Sequence, residues 1–389
     1  MIRLLPLALV LVAGRAALAE VPTQPAPGAA ASSGQQPETV PPEPALESRL
    51  VLRYKQMELR PDIKLYLDWQ ISPTDGDNAF HLTRGYLGLK VKLASWLSGR
   101  VTLDVSQASD VGKAGSAPVV DGKTQVPESK LDGSILARLK YGYLEAALPL
   151  SMHVAAGVVH TPYIYWVEHI EGTRFLRKVM LEEEYWYPSA DLGVAVFGHV
   201  RDYVDYAIGF YNGGGYAALE KGKYKDLIAR VTLRPLPHHR WLGGLQLSGY
   251  AQAELPVPGT GNTHRRFGGA VTYRLADEIL SPDCRNVRGD RLALWLQAFT
   301  SEEGPVDALL RTLAVSGGGR VELPWRLELI GRVDWFDPGR GVPGNAYWRG
   351  LGAVAVKHEA MRVALDYQGR FPQTGANEQF IGAHAELGL

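Results

Sequence analysis

Residues 100–106 read RVTLDVS, and residues 325–334 read WRLELIGRVD. Residues 362–368, which read RVALDYQ, show the same alternation of apolar and polar side chains. Because successive side chains of a β-strand point to opposite faces, each segment predicts a strand with one apolar and one charged face. In a soluble sandwich the apolar face would pack on a second sheet, whereas in a membrane barrel it would meet lipid. The solvent on the apolar side therefore decides the class of this protein.

The first 19 residues have the organisation of a secretory signal peptide. A charged start at residues 1–3 precedes an apolar run at 4–13, and residues 17–19 read ALA, a small-x-small cleavage site. An N-terminal membrane anchor is the alternative, but the run falls short of the ~20 residues that a spanning helix needs. The proline-rich residues 20–60 predict a periplasmic linker without regular structure.

The composition disfavours several classes of protein. The chain is 46% hydrophobic, yet its apolar residues are dispersed, which is typical of a barrel and not of a helical membrane protein. The formal net charge is zero, so nothing indicates a nucleic-acid partner. Cys284 is the single cysteine, which excludes an intramolecular disulfide, and we interpret it as an incidental loop thiol.

The alternating segments from residue 61 onward predict sixteen strands. Their connections alternate between tight turns and longer loops, as in outer-membrane barrels with short periplasmic turns and long external loops. Residues 61–389 are therefore predicted to form an all-β, 16-stranded antiparallel transmembrane β-barrel in the Gram-negative outer membrane. The connection between residues 277 and 289 departs from this rhythm, because it is long on the predicted periplasmic side.

The alternation also assigns faces. We expect Leu87, Leu89 and Leu103 to face lipid, and Tyr86 and Asp104 to face the lumen. Outward aromatic residues near strand ends predict interfacial girdles, although aromatic residues also favour strands in general. The candidates for the girdles are Trp69, Tyr143, Tyr273, Trp325, Trp335 and Tyr367.

Basic residues outnumber acidic residues on the predicted inward face, and most of them are arginines. The planar arginine fork binds carboxylate or phosphate oxygens in a bidentate manner, which favours an anion-preferring lumen. The alternative is that each arginine pairs with an acidic neighbour inside the wall. The predicted pore-lining residues of the strands are Arg84, Lys90, Lys92, Arg100, Arg138, Lys140, Arg230 and Arg332.

The connection 164–189, after the fifth predicted strand, is long and unusually apolar. Because an apolar loop favours burial, we expect it to fold into the barrel and narrow the pore. Arg174, Arg177 and Lys178 have helical spacing and are predicted to present a basic edge to the anion path. Residues 182–184, three glutamates, would pair with that edge or with wall arginines. The alternative is an external cap or a contact between subunits of a trimer.

Residues 82–93, LTRGYLGLKVKL, lead through Trp96 into residues 97–101, LSGRV. This stretch resembles the opening hairpin of the phosphate-selective porin O and P family. The resemblance implies a sixteen-stranded trimeric barrel with a third external loop folded into the pore and an arginine-lined anion path. It maps Arg84 and Arg100 onto the hairpin and residues 164–189 onto the constriction loop.

The leading hypothesis is a passive outer-membrane channel for small inorganic anions, including phosphate. A weakly selective general porin is the alternative within this class. A barrel enzyme would need a catalytic cluster, and no recognisable motif surrounds His153, His160, His169 or His384. A soluble secreted adhesin would stay in solution without detergent. We therefore expect no enzymatic activity, cofactor or metal, and we expect the lipid bilayer, small inorganic anions and a homotrimer as partners.

Overall fold

A computed structural model of the chain describes residues 51–54, 57–74, 76–107, 135–217, 224–255, 262–305 and 308–388. The predicted signal peptide, residues 20–50 of the predicted linker and the connection 110–132 lie outside the described residues. Strands begin before the expected boundary at residue 61, with a short strand at Leu52–Tyr54 and the first long strand at Met57. The reason is pairing, because Glu58, Leu59 and Arg60 already lie opposite residues 90–92 of the next strand.

Two short helices and a succession of antiparallel strands make up the described part of the chain. The helices are α1 (Pro162–Glu171) and α2 (Met180–Glu183). The strands are β1 (Leu52–Tyr54), β2 (Met57–Ile71), β3 (Asn78–Lys92), β4 (Leu97–Gln107), β5 (Ile135–Leu148), β6 (Met152–His160), β7 (Ala190–Val200), β8 (Val204–Tyr211), β9 (Lys225–Leu233), β10 (Leu245–Leu255), β11 (Asn262–Ile279), β12 (Val287–Pro305), β13 (Leu310–Glu322), β14 (Leu327–Asp337), β15 (Tyr347–His358), β16 (Met361–Pro372) and β17 (Glu378–Gly388).

Strands β2 to β17 form a closed barrel. Each strand pairs in antiparallel fashion with the next, and the barrel closes where β17 pairs with β2, with His384 opposite Asp68. The short β1 adds a pairing to the start of β2. Closure leaves no sheet edge, so the backbone groups of every strand find partners within the barrel, as a membrane requires. The predicted sixteen-stranded antiparallel barrel is confirmed.

The outer face of the barrel is apolar and exposed. Leu103 is 38% exposed and Leu365 is 66% exposed, whereas the adjacent Asp104 and Asp366 are 0% and 5% exposed. An apolar belt that follows strand after strand in this way needs lipid and not water as its solvent. The alternation therefore assigns these faces correctly, and the barrel spans a membrane. In the described part of the chain, no helix combines the length and the apolar character needed to span a membrane.

The pairing of the described strands shifts register at three places, and one of them passes over Arg291 between β11 and β12. The other two are β-bulges that change which side chains face the lumen. The pairing register shifts where Thr83 is passed over between β2 and β3, and again where Lys140 is passed over between β4 and β5. The second bulge moves Tyr141 and Tyr143 to the lumen, where Tyr143 packs edge-on against His160 at 6.0 Å. The expectation that Tyr143 belongs to an outer girdle is therefore wrong. Tyr367 is exposed beside the inward-facing Asp366, as expected, whereas Trp325 lies in the turn before β14.

Candidate functional site

The connection between β6 and β7, residues 161–189, packs against inward-facing side chains of the wall. Helix α1 starts with Pro162 at its first turn, where a missing N–H costs nothing, and ends at Gly172 in the left-handed conformation. Tyr163 packs edge-on against Phe299 at 5.0 Å, and its hydroxyl donates to Gln297 at 2.7 Å. The apolar residues of this connection thus bury themselves on the wall formed by β9 to β12.

Wall arginines fix the same connection by its backbone. Arg332 donates to the carbonyl oxygen of Lys178 at 2.6 Å, and Arg362 donates to that of Gly172 at 2.8 Å. Three further wall arginines make equivalent bonds to carbonyls of Pro162, Glu171 and Trp186, namely Arg230, Arg320 and Arg266. These five inward-facing arginines therefore hold residues 162–186 in place.

Three basic residues converge on one phenol. The hydroxyl of Tyr86 lies 3.0 Å from Lys140 Nζ, 3.2 Å from Arg174 Nη2 and 3.5 Å from Arg84 Nη1. One bulge is at Thr83, next to Arg84, and the other is at Lys140 itself, and a bulge commonly redirects a side chain at a functional position. We call Arg84, Lys140, Arg174 and Tyr86 the cationic cluster. It combines predicted residues from two strands and from the long connection.

Carboxylates offset part of this charge. Arg174 donates to Glu182 Oε1 at 3.1 Å and lies 3.4 Å from Glu168, and Arg84 lies 3.4 Å from Asp104. Lys140 differs, because no carboxylate in the described part of the chain forms a salt bridge with it. Its ammonium lies 4.4 Å from the ring centroid of Tyr86, and the side chain is 3% exposed.

A cavity of about 590 Å³ begins at the cationic cluster and extends toward the end of the barrel with the short turns. Of the described residues that line it, eleven are Lys or Arg and six are Asp or Glu. Aromatic residues form much of the remaining wall of this cavity, including Tyr66, Tyr141, Tyr165 and Phe175. This cavity can attract anions, because fixed positive charge in a low-dielectric enclosure is weakly screened.

The remaining predicted residues have different surroundings. Arg100 and Lys90 share Asp62, at 2.8 and 3.8 Å, and both line the cavity. Arg138 donates to Ser106 at 3.1 Å, and Lys92 is exposed and lies outside the cavity lining.

The basic residues of the long connection do not share one helical edge. The chain between α1 and α2 forms a turn at residues 174–176 and then an extended stretch. Arg174 lies in the turn and Arg177 and Lys178 follow it, so their spacing of three and four residues does not place them on one face of a helix. Arg177 pairs with Glu183 at 3.4 Å, and Lys178 lies over the ring of Tyr185.

Two of the predicted strand residues are buried in internal contacts. Arg230 is 3% exposed and bonds to Asp205, and Arg332 is 2% exposed and bonds to Asp334 at 2.7 Å. Arg230 and Arg332 therefore fit the alternative hypothesis, in which inward arginines pair with acidic neighbours within the wall.

A second segment that enters the barrel is the long connection between β11 and β12, which departs from the alternation of short turns and long loops. Residues 280–286 join β11 to β12 at the short-turn end, and Asp283 and Cys284 are 1% and 0% exposed. Trp166 of α1 donates its indole N–H to the carbonyl oxygen of Asp283 at 3.1 Å, and Arg285 stacks over Tyr165 at 4.8 Å. This connection is long because it enters the barrel and contacts α1.

Sequence reasoning missed the aromatic part of the site. Alternation placed Tyr86 on the inward face but gave no reason to single it out, and the bulge concealed Tyr141. The useful signal was the pairing of inward tyrosines with inward basic residues on neighbouring strands. In the described residues, no group of three or more His, Cys, Asp or Glu side chains is arranged to hold a metal ion.

No protein-family profile matches the sequence, and no curated protein matches it. Solved structures do match its fold. OmpT of Vibrio cholerae is 10% identical and has a TM-score of 0.58, with 87% of this chain and 100% of that chain covered. An anion-selective porin from Comamonas acidovorans is 8% identical and has a TM-score of 0.58, with 86% and 99% covered. A trimer form of in-vitro folded OmpT is 9% identical and has a TM-score of 0.55, with 86% and 100% covered.

This likeness defines a class. The chain has the fold of the Gram-negative outer-membrane porins, and its closed barrel with an apolar belt places it in the outer membrane. At these identities the likeness concerns the fold alone.

Proposed function

We propose that this chain is a passive outer-membrane channel that favours small anions. The observation that carries the proposal is the convergence of Arg84, Lys140 and Arg174 on the hydroxyl of Tyr86, at the head of a cavity with an excess of basic residues. A ring of like charge at a narrow point sets the sign of the ions that pass. Phosphate belongs to the proposed solutes, because its oxygens accept charge-assisted bonds from Lys and Arg.

Reversal potentials in a salt gradient test this proposal. We expect the wild-type channel in a planar bilayer to prefer chloride over potassium, and we expect added phosphate to reduce the chloride current. Lys140→Met should lower the preference, whereas Arg340→Gln should leave it unchanged because Arg340 is exposed in the connection between β14 and β15. A wild-type preference for potassium would refute the anion channel.

A weakly selective general porin is the second candidate, and a specific observation favours it. Arg230 and Arg332 pair with Asp205 and Asp334, so much of the basic charge of the wall is compensated. The same recordings separate the candidates. A reversal potential near zero with no effect of phosphate would favour the general porin.

Narrowing of the pore by residues 161–189 is part of the proposal. Deleting residues 168–184 should raise the single-channel conductance of a folded barrel, because the segment contacts inward-facing side chains of β14 and β16. Unchanged conductance would mean that the segment does not limit the pore. We also propose a homotrimer, in line with the trimer form of OmpT. The mass of the detergent-solubilised complex tests this.

A further inference from the structure

The cavity next to the cationic cluster has a repeated pattern of cations on aromatic rings. Lys140 lies 4.4 Å from the ring centroid of Tyr86, Arg100 lies 4.5 Å from that of Tyr141, and Arg362 lies 4.0 Å from that of Phe175. Charge selection alone requires no such rings. A wall of this kind provides planar faces and positive charge side by side, so it can bind a ring and an anionic group of one molecule.

The size of the cavity points in the same direction. Its volume of about 590 Å³ falls within the ~300–1,000 Å³ that is usual for sites of organic ligands. Inorganic phosphate would occupy only a small part of that space. It would also make no use of the aromatic side chains that line the cavity.

Lys140 supplies an open position for a carboxylate. The side chain is 3% exposed and lines the cavity, and its ammonium has three N–H donors. The structure gives that ammonium one hydrogen bond, to the hydroxyl of Tyr86. Elsewhere in the cavity lining, the buried Nε of Arg362 has no hydrogen-bond partner among the described residues. Unfilled donors at buried cations favour an anionic acceptor.

We propose that this cavity binds an aromatic carboxylate, with the carboxylate at Lys140 and the ring against the tyrosine and phenylalanine side chains that line the cavity. The inference rests on the proposed anion-favouring channel and names the organic solute class that its cavity selects. An aliphatic carboxylate of similar size would satisfy Lys140 but not the ring faces. Recognition therefore depends on both the charge and the π-system of the solute.

Block of the chloride current through the full-length channel tests this proposal, with benzoate, cyclohexanecarboxylate and acetate as probes. Benzoate and cyclohexanecarboxylate share charge and approximate size, so they differ mainly in the aromatic ring. We expect half-block by benzoate at about a fivefold lower concentration than by cyclohexanecarboxylate, since ring packing adds to the gain from burial. Acetate should block more weakly than either.

Variants separate the two contributions. Lys140→Met should raise the half-blocking concentration of benzoate about tenfold through loss of a charge-assisted bond, and Lys140→Arg should restore most of the block. Tyr141→Leu should weaken block by benzoate and leave block by cyclohexanecarboxylate nearly unchanged. It gives a second test if the Lys140 variants fold poorly. Arg340→Gln should behave as wild type.

Two results would overturn the inference. Equal block by benzoate and cyclohexanecarboxylate would remove the aromatic preference, and unchanged block in Lys140→Met would remove the site. Neither result would alter the chloride preference measured by reversal potential on the wild-type channel. A cation-selective reversal potential would instead refute the proposed function itself.

Discussion

Trp166 donates its indole N–H to the backbone carbonyl of Asp283 at 3.1 Å, which joins two segments that enter the barrel from opposite ends. Trp166 belongs to α1, in the connection that follows β6, and Asp283 belongs to the turn that follows β11. Both residues are almost completely buried. The turn therefore contacts α1 from the short-turn end of the barrel, in addition to the wall arginines that bond to the backbone of the same connection.

Shortening this turn should widen the channel. Replacing residues 281–285 by Asn-Gly removes the support of Trp166 and the ring contact of Arg285 with Tyr165. We expect higher single-channel conductance from a barrel that still folds, because Asn-Gly suits a tight hairpin. The same replacement in the exposed connection 340–344 is the control. Unchanged conductance in the shortened variant would show that the turn does not position α1.

The thiol of Cys284 should be unreactive in the native channel. Burial raises the pKa of this thiol to about 12, so at pH 7.5 it is protonated, and the thiolate is the reactive form. We expect no maleimide labelling of the folded protein and complete labelling in denaturant, measured by mass spectrometry. Trp166→Phe should raise the native labelling rate about fivefold, because it removes one buried hydrogen bond and keeps the ring. Rapid labelling of the wild-type protein would contradict the buried position of the turn.

Leu103 should contact lipid. Leu103→Arg should lower the free energy of unfolding by ~2–4 kcal/mol if the position lies near the bilayer midplane. Leu103→Val keeps an apolar side chain and serves as the control. Denaturant titration in lipid vesicles measures both. A cost close to zero for arginine would place the residue away from the hydrocarbon.

Arg230 should affect stability more than selectivity. Its guanidinium is buried between Asp205 and the carbonyl of Pro162, so Arg230→Met would leave the Asp205 charge unpaired. Breaking a buried pair in this way costs about 3–5 kcal/mol. Denaturant titration should show this loss, and the double variant with Asp205→Asn should recover part of it. A shift in reversal potential without any loss of stability would instead place Arg230 in the ion path.

The strands were predictable from the sequence because each one must present an apolar face to lipid along its whole length. Leu103 and Leu365 both face outward as this requires, so the period-two alternation in the sequence identifies the strands directly. The bulges at Thr83 and Lys140 were not predictable in the same way. One extra residue in a strand leaves the local pattern intact and appears only through the register with its neighbour.

The site was predictable in composition but not in arrangement. The inward positions of Arg84 and Lys140 followed from alternation. Their convergence with Arg174 on Tyr86 depends on where the long connection lies. That position is fixed by contacts between distant parts of the chain, such as Arg362 with Gly172. Likewise, Arg230 looked like a pore residue because a sequence does not distinguish an arginine facing water from one facing a carbonyl oxygen.

The bonds from wall arginines to carbonyl oxygens have a consequence for how such a channel can change. A carbonyl oxygen is present whatever amino acid occupies the position, so Arg332 holds Lys178 by its backbone and does not depend on its side chain. The side chain at position 178 can therefore change during evolution or by design while the bond that holds the backbone of this connection remains. A laboratory can randomise the side chain at position 178 and expect the connection between β6 and β7 to keep its place.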